Sequence, residues 1–366
     1  MKFKNPGLKI LDWYIIKKFL GTYVFAIALI IVIVVIFDYV EKLDDFVEMK
    51  APFGQIVFGY YINFIPYFIN QFSGLFTFIA VIFFTSKLAY QTEIVAMLSG
   101  GMSFRRLMWP YFLSALTITV MSLALSLFII PPANSRRLEF EGKYLKKNQN
   151  ITADQHIYRQ ISPGTFAYIR GYRTSDFKAD YLVIERYEGN HIVGTLDAAG
   201  ATLDPKTRRW TAPLYSTRSF EGDAEHFEQH TNLDTLINID AMEFGRVEKI
   251  VEAMPIGELN EFIKQQKDKG SDMISVFEVE RAQRFSYPFS TFILTLIGVS
   301  LSSRKVRGGT GLHIGIGITL CFTYILFARF AQEFAKGGVM PPVLAVWMPN
   351  VIFAIVAIYL YKKAPK

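Results

Sequence analysis

The sequence predicts an α-helical membrane protein with six transmembrane helices, three before and three after an inserted all-β domain of the sandwich or jellyroll type. Three observations carry this reading. Six long apolar runs stand at Phe19–Phe37, Ile56–Thr85, Met108–Ile130, Tyr287–Leu301, Leu312–Phe330 and Val343–Leu360, and a helix needs about 20 apolar residues to cross a bilayer core. A polar insert, from about Pro131 to Arg284, separates the third run from the fourth. Within that insert the hydrophobic period falls from helical spacing to alternation, with turn residues between the runs.

Before the first run, Leu8, Leu11, Ile15 and Phe19 recur at helical spacing beside lysines. The spacing predicts an amphipathic helix lying at the membrane interface before it turns into the bilayer. The second run is polar in its first half, with Asn63, Pro66, Asn70, Gln71 and Ser73. Proline removes a helical hydrogen bond that lipid cannot replace, so this half is expected to face protein or a wet cavity. In the insert, Tyr181, Val183 and Glu185 alternate with Leu182, Ile184 and Arg186, and Gly171, Gly189-Asn190, Asp204-Pro205 and Gly222-Asp223 punctuate the runs. Helical spacing returns at Ile256–Lys267, and a helix from about Met273 is expected to run into the fourth span. That span is short, and this upstream helix lends it length. In the fifth, Gly311, Gly315 and Gly317 permit close helix contact. The expected domains are residues 1–130 (interfacial helix, three spans and a short connecting helix near 92–99), 131–270 (the β domain) and 271–366 (three spans).

Charge placement gives orientation. The net charge is +7, but its cations cluster at one set of ends: Lys2, Lys4, Lys9, Lys17 and Lys18; Lys87, Arg105 and Arg106; Arg304, Lys305 and Arg307; Lys362, Lys363 and Lys366. The positive-inside rule puts both termini in the cytoplasm and the insert outside. The basic excess is therefore a topology signal, and nucleic acid is not implied. Cys321 is the single cysteine, so no intramolecular disulfide can form. An external domain without disulfides fits a bacterial periplasm, below which the inner membrane would hold the spans. The first apolar run is too long for a cleaved signal peptide and is expected to stay as a helix.

Several chemistries are excluded. There is no GxxxxGK[ST] loop to cradle nucleotide phosphates and no HExxH zinc motif. Gly309-x-Gly311 lacks the third glycine and the strand of a dinucleotide fold. His226 and His230 flank Glu228 at a spacing that chelates metal on a helix, but their surroundings read as strand, which spreads the rings. No metal site is assigned. Ser73 with His313 is the one pairing that suggests an intramembrane serine hydrolase, and a nucleophile needs its base within hydrogen-bond reach.

The link Ser86–Leu107 is more telling. A short helix from Thr92 to Leu98 carries Glu93 in its first turn, Gly100-Gly101 ends it, and Ser103 can cap the next helix. Ile94, Met97 and Leu98 give it an apolar face directed at the boundary of cytoplasm and membrane. This segment, with its Glu-x-x-x-Met-x-x-x-Gly pattern, resembles that of the lipopolysaccharide-export permeases LptF and LptG (the YjgP/YjgQ family). Leu11-Asp12-x-Tyr14-Ile15, the Ala198–Phe220 stretch with Asp204-Pro205 and Trp210, Arg284-x-x-x-Pro288, and Pro341-Pro342…Trp347-x-Pro349-Asn350 are similar to family features in the same order. The LptG type is slightly preferred.

The resemblance implies a permease subunit, not an enzyme, with no cofactor in this chain and ATP and magnesium on a partner ATPase. It implies a sibling permease, an LptB-type ATPase dimer, an LptC-type single-span protein and a periplasmic bridge protein as partners. It implies lipopolysaccharide as the transported lipid. Coupling to the ATPase would fall on Glu93, Ile94, Met97, Leu98, Gly100, Gly101 and Arg105. For an anionic head group, the cations at the outer level, Lys42, Arg136, Arg137 and Arg329, are the expected contacts. Arg329 has an i,i+4 pair with Glu333 as its alternative reading. Asp38 stands where relatives often place a lysine, with Lys42 one turn later. A serine hydrolase and a non-enzymatic envelope scaffold are the other two classes the residues leave open.

Overall fold

A computed structural model describes residues 9–145, 156–173, 177–189, 191–204, 207, 209–221, 224–237, 247–268, 273–303 and 309–364. In chain order the elements are α1 (Ile10–Glu48), α2 (Phe53–Tyr90), α3 (Glu93–Ser99) and α4 (Phe104–Tyr144), then strands β1 (His156–Ser162), β2 (Thr165–Arg173), β3 (Lys178–Glu188), β4 (His191–Asp204), β5 (Arg209–Glu221) and β6 (Ala224–Leu236). Helices α5 (Val247–Ala253), α6 (Ile256–Asp268), α7 (Ile274–Ser302), α8 (Gly309–Lys336) and α9 (Pro342–Lys363) complete the chain. Contacts divide it into two compact units. One holds residues 1–40, 61–133 and 275–366; the other holds 41–60 and 134–274.

In the first unit, α1, α2, α4, α7, α8 and α9 are long and apolar enough to cross a membrane. Their burial differs, and the difference ranks them. The most apolar window of α2 is 67% buried, whereas that of α1 is 17% buried. Helix α2 is thus the centre of the unit, while α1 turns Val24, Phe25, Ile36 and Phe37 outward toward the lipid position. Phe78 and Ile82 of α2 pack with Leu294, Ile297, Cys321, Tyr324 and Phe353. Phe84 stacks on Tyr111 at 5.4 Å and Phe19 lies 5.5 Å from Phe84. The expected close approach in α8 occurs at Gly317, where an added Cβ would lie 2.1 Å from Ile82 Cδ1. Gly311 and Gly315 have open space at that position.

One sequence expectation changes here. The interfacial segment does not turn before entering the span; Ile10–Glu48 is one unbroken helix of 39 residues. Pro66 lies inside its helix. A π stretch, Ile56–Tyr61, lies just upstream of it. A second, Leu125–Ile129, precedes Pro131 and Pro132. A proline ring collides with the carbonyl four residues back. Pro110, Pro288 and Pro349 stand inside their helices with no π stretch beside them.

In the second unit, the six strands form one antiparallel sheet in chain order. The pairs on either side bring one row into line across five strands, Gly171, Asp180, Gly200, Pro213 and Asn232. Gly171, Gly200 and Asn232 all have positive φ, at 67°, 66° and 59°. The buried parity shifts by one across this row, on β2 from Ala167 and Ile169 to Tyr172 and on β4 from Ala198 to Ala201 and Leu203. The row is a crease, and residues from both sides of it meet in one core with Leu182, Trp210, Ala212 and Leu233. A single meander thereby supplies the inward faces expected of a sandwich or jellyroll. In the same unit Phe46, Tyr60 and Phe140 form an aromatic cluster with centroids 5.5 to 6.3 Å apart.

Alanine at Gly171 and at the turn residue Gly189 tests the crease. Both positions are left-handed, at a shared cost of about 1–2 kcal/mol, but only at Gly171 would the new Cβ meet the Asp180 carboxylate, 2.2 Å away. Gly171→Ala is expected to lower the unfolding midpoint further than Gly189→Ala in thermal denaturation of the full chain.

Candidate functional site

Two features of the first unit combine chemistry with position. The first is the corner where α3 joins α2 to α4. Thr92 enters α3 in the left-handed conformation, φ 62°, and its hydroxyl bonds back to the Gln91 carbonyl instead of capping the helix. Glu93 in the first turn then meets the exposed amide dipoles. At the other end, Gly101 N donates to Leu98 O and Met102 N to Met97 O. With Gly101 at φ 87°, this is a Schellman closure, which a residue with a Cβ adopts only with strain. Ser103 Oγ accepts from Arg106 N at 3.3 Å and opens α4.

Side chains tie this corner to the start of α1. Tyr14 Oη donates to Glu93 Oε2 at 3.1 Å. Arg106 forks onto Asp12, with Nη1 to Oδ1 at 2.7 Å and Nη2 to Oδ2 at 2.5 Å. Asp12 Oδ2 also accepts from Lys9 N at 2.8 Å. The Asp12 side chain is 3% exposed against 32% for Arg106, so the carboxylate depends on these donors. Ile94 is fully buried with Phe104, Leu107, Leu88 and Ile15. The short helix is thus clamped on one side, and Val95, Ala96 and Ser99 remain on its outer face.

The second feature is a cavity of about 70 Å³ among α2, α4, α7 and α8, with Asn70, Gln71, Ser73, Tyr287, Arg329 and Gln332 in a wall otherwise largely apolar. That volume suits several waters. Around it, Ser122 Oγ donates to Asn70 Oδ1 at 2.5 Å, Tyr23 and Ser73 hydroxyls lie 2.8 Å apart, and Gln332 Nε2 donates to Tyr287 Oη at 2.9 Å. Asn350 joins three helices: its Oδ1 accepts from Tyr324 Oη at 2.8 Å and its Nδ2 donates to Ser286 O at 3.0 Å.

A six-helix arrangement with a β insert, and a clamped helix between its second and third spans, can now be set beside known proteins. The family of the lipopolysaccharide export system permease LptF/LptG matches residues 13–363. The chain belongs to the LptF/LptG permease family. It is 20% identical over 357 residues to the lipopolysaccharide export system permease protein LptG of Haemophilus influenzae, covering 96% of this chain and 98% of that one. A member of this family is a transporter permease subunit and not an enzyme.

The permease places the expected coupling residues together but unequally. Glu93 is half-buried under Tyr14, and Ile94 is in the core. Met97 and Leu98 pack against that core, so the apolar face expected to meet a partner is turned inward. Gly100 and Gly101 form the closure, and Arg105 is exposed. The four expected lipid contacts are dispersed. Lys42 bonds to the Tyr60 hydroxyl and sits 4.7 Å above its ring. Arg136 is exposed, whereas Arg137 is 6% exposed and lies 3.4 Å from Glu141. Arg329 is exposed at the cavity wall; Glu333 pairs with Lys336 at 3.2 Å, and among the described residues Arg329 has no carboxylate partner. Asp38 faces the Tyr61 hydroxyl.

His226 and His230 lie on β6, and the strand spacing separates them; the His230 ring stacks on Tyr215 at 5.0 Å. Ser73 shares its hydroxyl with Tyr23, and the side chain of His313 lies outside the described residues. Sequence reasoning missed the Asp12–Arg106 fork. Its signal was present, since a carboxylate among lysines beside an apolar stripe invites a buried partner, but nothing local names a residue 94 positions away.

Arg106→Gln leaves the Asp12 carboxylate buried without its fork and is expected to destabilise the corner by about 1–3 kcal/mol. Asp12→Asn added to it should cost less than the sum of the two single changes. A double-mutant cycle on thermal unfolding measures this coupling.

Proposed function

We propose that this permease is the membrane subunit through which a separate ATPase drives lipopolysaccharide out of the bacterial inner membrane toward a periplasmic bridge. The observation that carries the reading is the clamped helix α3. It is fastened to α1 by Tyr14–Glu93 and, through its flank, by Asp12–Arg106, while Val95, Ala96 and Ser99 face outward. A push on that outer face would be transmitted to α1, α2 and α4 together, because the inner face has no slack. Conformational work done on a partner chain would thus enter here, with both termini and α3 on the cytoplasmic side by the positive-inside rule.

The named partners follow from the same reading: an LptB-type ATPase dimer that binds ATP and magnesium, a sibling permease across a shared lipid cavity, an LptC-type single-span protein, and the bridge that receives lipid from the β domain. The substrate side rests on charge. Lipid A phosphates require cations, and Arg329, next to the cavity and unpaired among the described residues, is the best placed. Lys42, Arg136 and Arg137 are secondary contacts, since Lys42 and Arg137 already engage Tyr60 and Glu141.

Two outcomes are expected on purifying the chain from bacterial membranes and identifying what accompanies it by mass spectrometry. Glu93→Lys should release most of the co-purifying ATPase while the chain stays folded. Arg329→Glu should retain the ATPase but reduce bound lipopolysaccharide by about tenfold, as expected for loss of one charge-assisted contact. Recovery of neither an ATPase nor lipopolysaccharide with the unaltered chain would sink the reading, and loss of function in Ser73→Ala with export partners absent would favour a hydrolase.

A further inference from the structure

On the side of the first unit that carries α3, an open groove of about 590 Å³ runs between α1 and α2. Tyr14, Lys17, Lys18, Gly21 and Phe25 line it from α1, and Phe83 from α2. These α1 positions follow i, i+3, i+4, i+7 and i+11, one face of a helix. The face is ordered along its axis. Both lysines sit at the end nearer the chain terminus, and Phe25 lies about 10 Å further along at 1.5 Å per residue.

The polar groups at the charged end are spoken for in a way that leaves the lysines available. The Thr22 hydroxyl donates to Lys18 O at 2.8 Å. The neighbouring carboxylates are Glu93, which accepts from Tyr14, and Asp12, which is forked by Arg106. Lys18 lies 5.7 Å from the Tyr14 ring centroid, and among the described residues neither lysine has a carboxylate within ion-pair distance. At the other end Phe25 and Phe83 are exposed, and beside Gly21 nothing lies within 4 Å of where a Cβ would stand.

Two unpaired cations at the interface, followed inward by an apolar slot floored by a glycine, match the order of a phospholipid: phosphate first, acyl chain after. We propose that this groove is a binding site for an anionic phospholipid of the leaflet on the α3 side. Lys17 and Lys18 would hold the phosphate, and an acyl chain would lie over Gly21 between Phe25 and Phe83. Basic pockets between helices on the cytoplasmic side take such head groups. Naming this leaflet cytoplasmic rests on the orientation proposed above; the lipid chemistry does not. The site shares Tyr14 with the clamp on Glu93, so its occupant borders the coupling corner.

The test is native mass spectrometry of the full chain, delipidated in detergent and titrated with phosphatidylglycerol or phosphatidylcholine of identical acyl chains. The unaltered chain is expected to retain phosphatidylglycerol at least tenfold more tightly. The double variant Lys17→Gln/Lys18→Gln should lose that preference, a change of about 10- to 30-fold for two interfacial cations. The double variant Lys17→Arg/Lys18→Arg should keep it. Gly21→Leu, which fills the slot and spares both charges, should weaken the lipid without unfolding the chain, since its Cβ meets no neighbour. Four results would overturn the proposal: an unchanged preference in the glutamine variant; unchanged binding in Gly21→Leu; displacement of the lipid by equimolar inorganic phosphate, which would mean an anion site only; or capture of another protein, or of lipopolysaccharide, by a photocrosslinker at Phe83. None of these substitutions touches Glu93 or Arg329, so the export reading stands or falls separately.

Discussion

Lipid offers no hydrogen bonds, and that one constraint organises the membrane unit around α2. This helix carries Asn63, Asn70, Gln71 and Ser73 beside Pro66, more polar capacity than any lipid-facing helix can hold. It is accordingly the most buried of the spans, and its polar groups find Ser122 on α4 and Tyr23 on α1. The apolar remainder of α2 then has to be covered too, and Gly317 and Gly298 let α8 and α7 approach Ile82 and Val81 closely enough to do so. Helix α1, which has little to satisfy inside the bilayer, is free to show lipid its aliphatic side.

The same constraint accounts for the helix irregularities. Prolines in a soluble helix can be answered by water; here Pro66, Pro131 and Pro132 follow a π stretch within the chain itself, whereas Pro110, Pro288 and Pro349 stand inside their helices without one. Polar residues that join helices, such as Asn350 with Tyr324 and the Ser286 carbonyl, fix how α7, α8 and α9 sit against one another. The cavity around Tyr287 and Gln332 is what remains when such groups outnumber the direct bonds available to them.

Much of this was legible from the residues. Apolar run length gave the spans, and the polar half of the second run gave its buried setting beside a cavity. The alternation of Tyr181 to Arg186 gave a strand, and the helix upstream of the fourth span was expected because Met273 onward keeps helical spacing. What the residues did not disclose depended on separation. Asp12 and Arg106 are far apart in sequence, and each has an adequate local reading, as interfacial charge and as a positive-inside marker. The inward turn of Ile94, Met97 and Leu98 was likewise hidden, because an apolar face reads the same whether it covers its own core or awaits a partner. Arg329 is the reverse case: spacing offered Glu333, but Lys336 is the nearer cation to that carboxylate.

The creased sheet carries a further consequence for how its strands find one another. Without a disulfide, nothing covalent corrects a strand that pairs one residue out of place. Yet Gly171, Gly200 and Asn232 sit on alternate strands, and each bend is useful only where its neighbours bend at the same level. A one-residue slip between any two strands would put a left-handed corner opposite a straight segment and turn Trp210 or Leu203 away from the interior. The bends therefore act as alignment marks: the sheet can close only when all three are in line, and a misread pairing costs the core before it can persist.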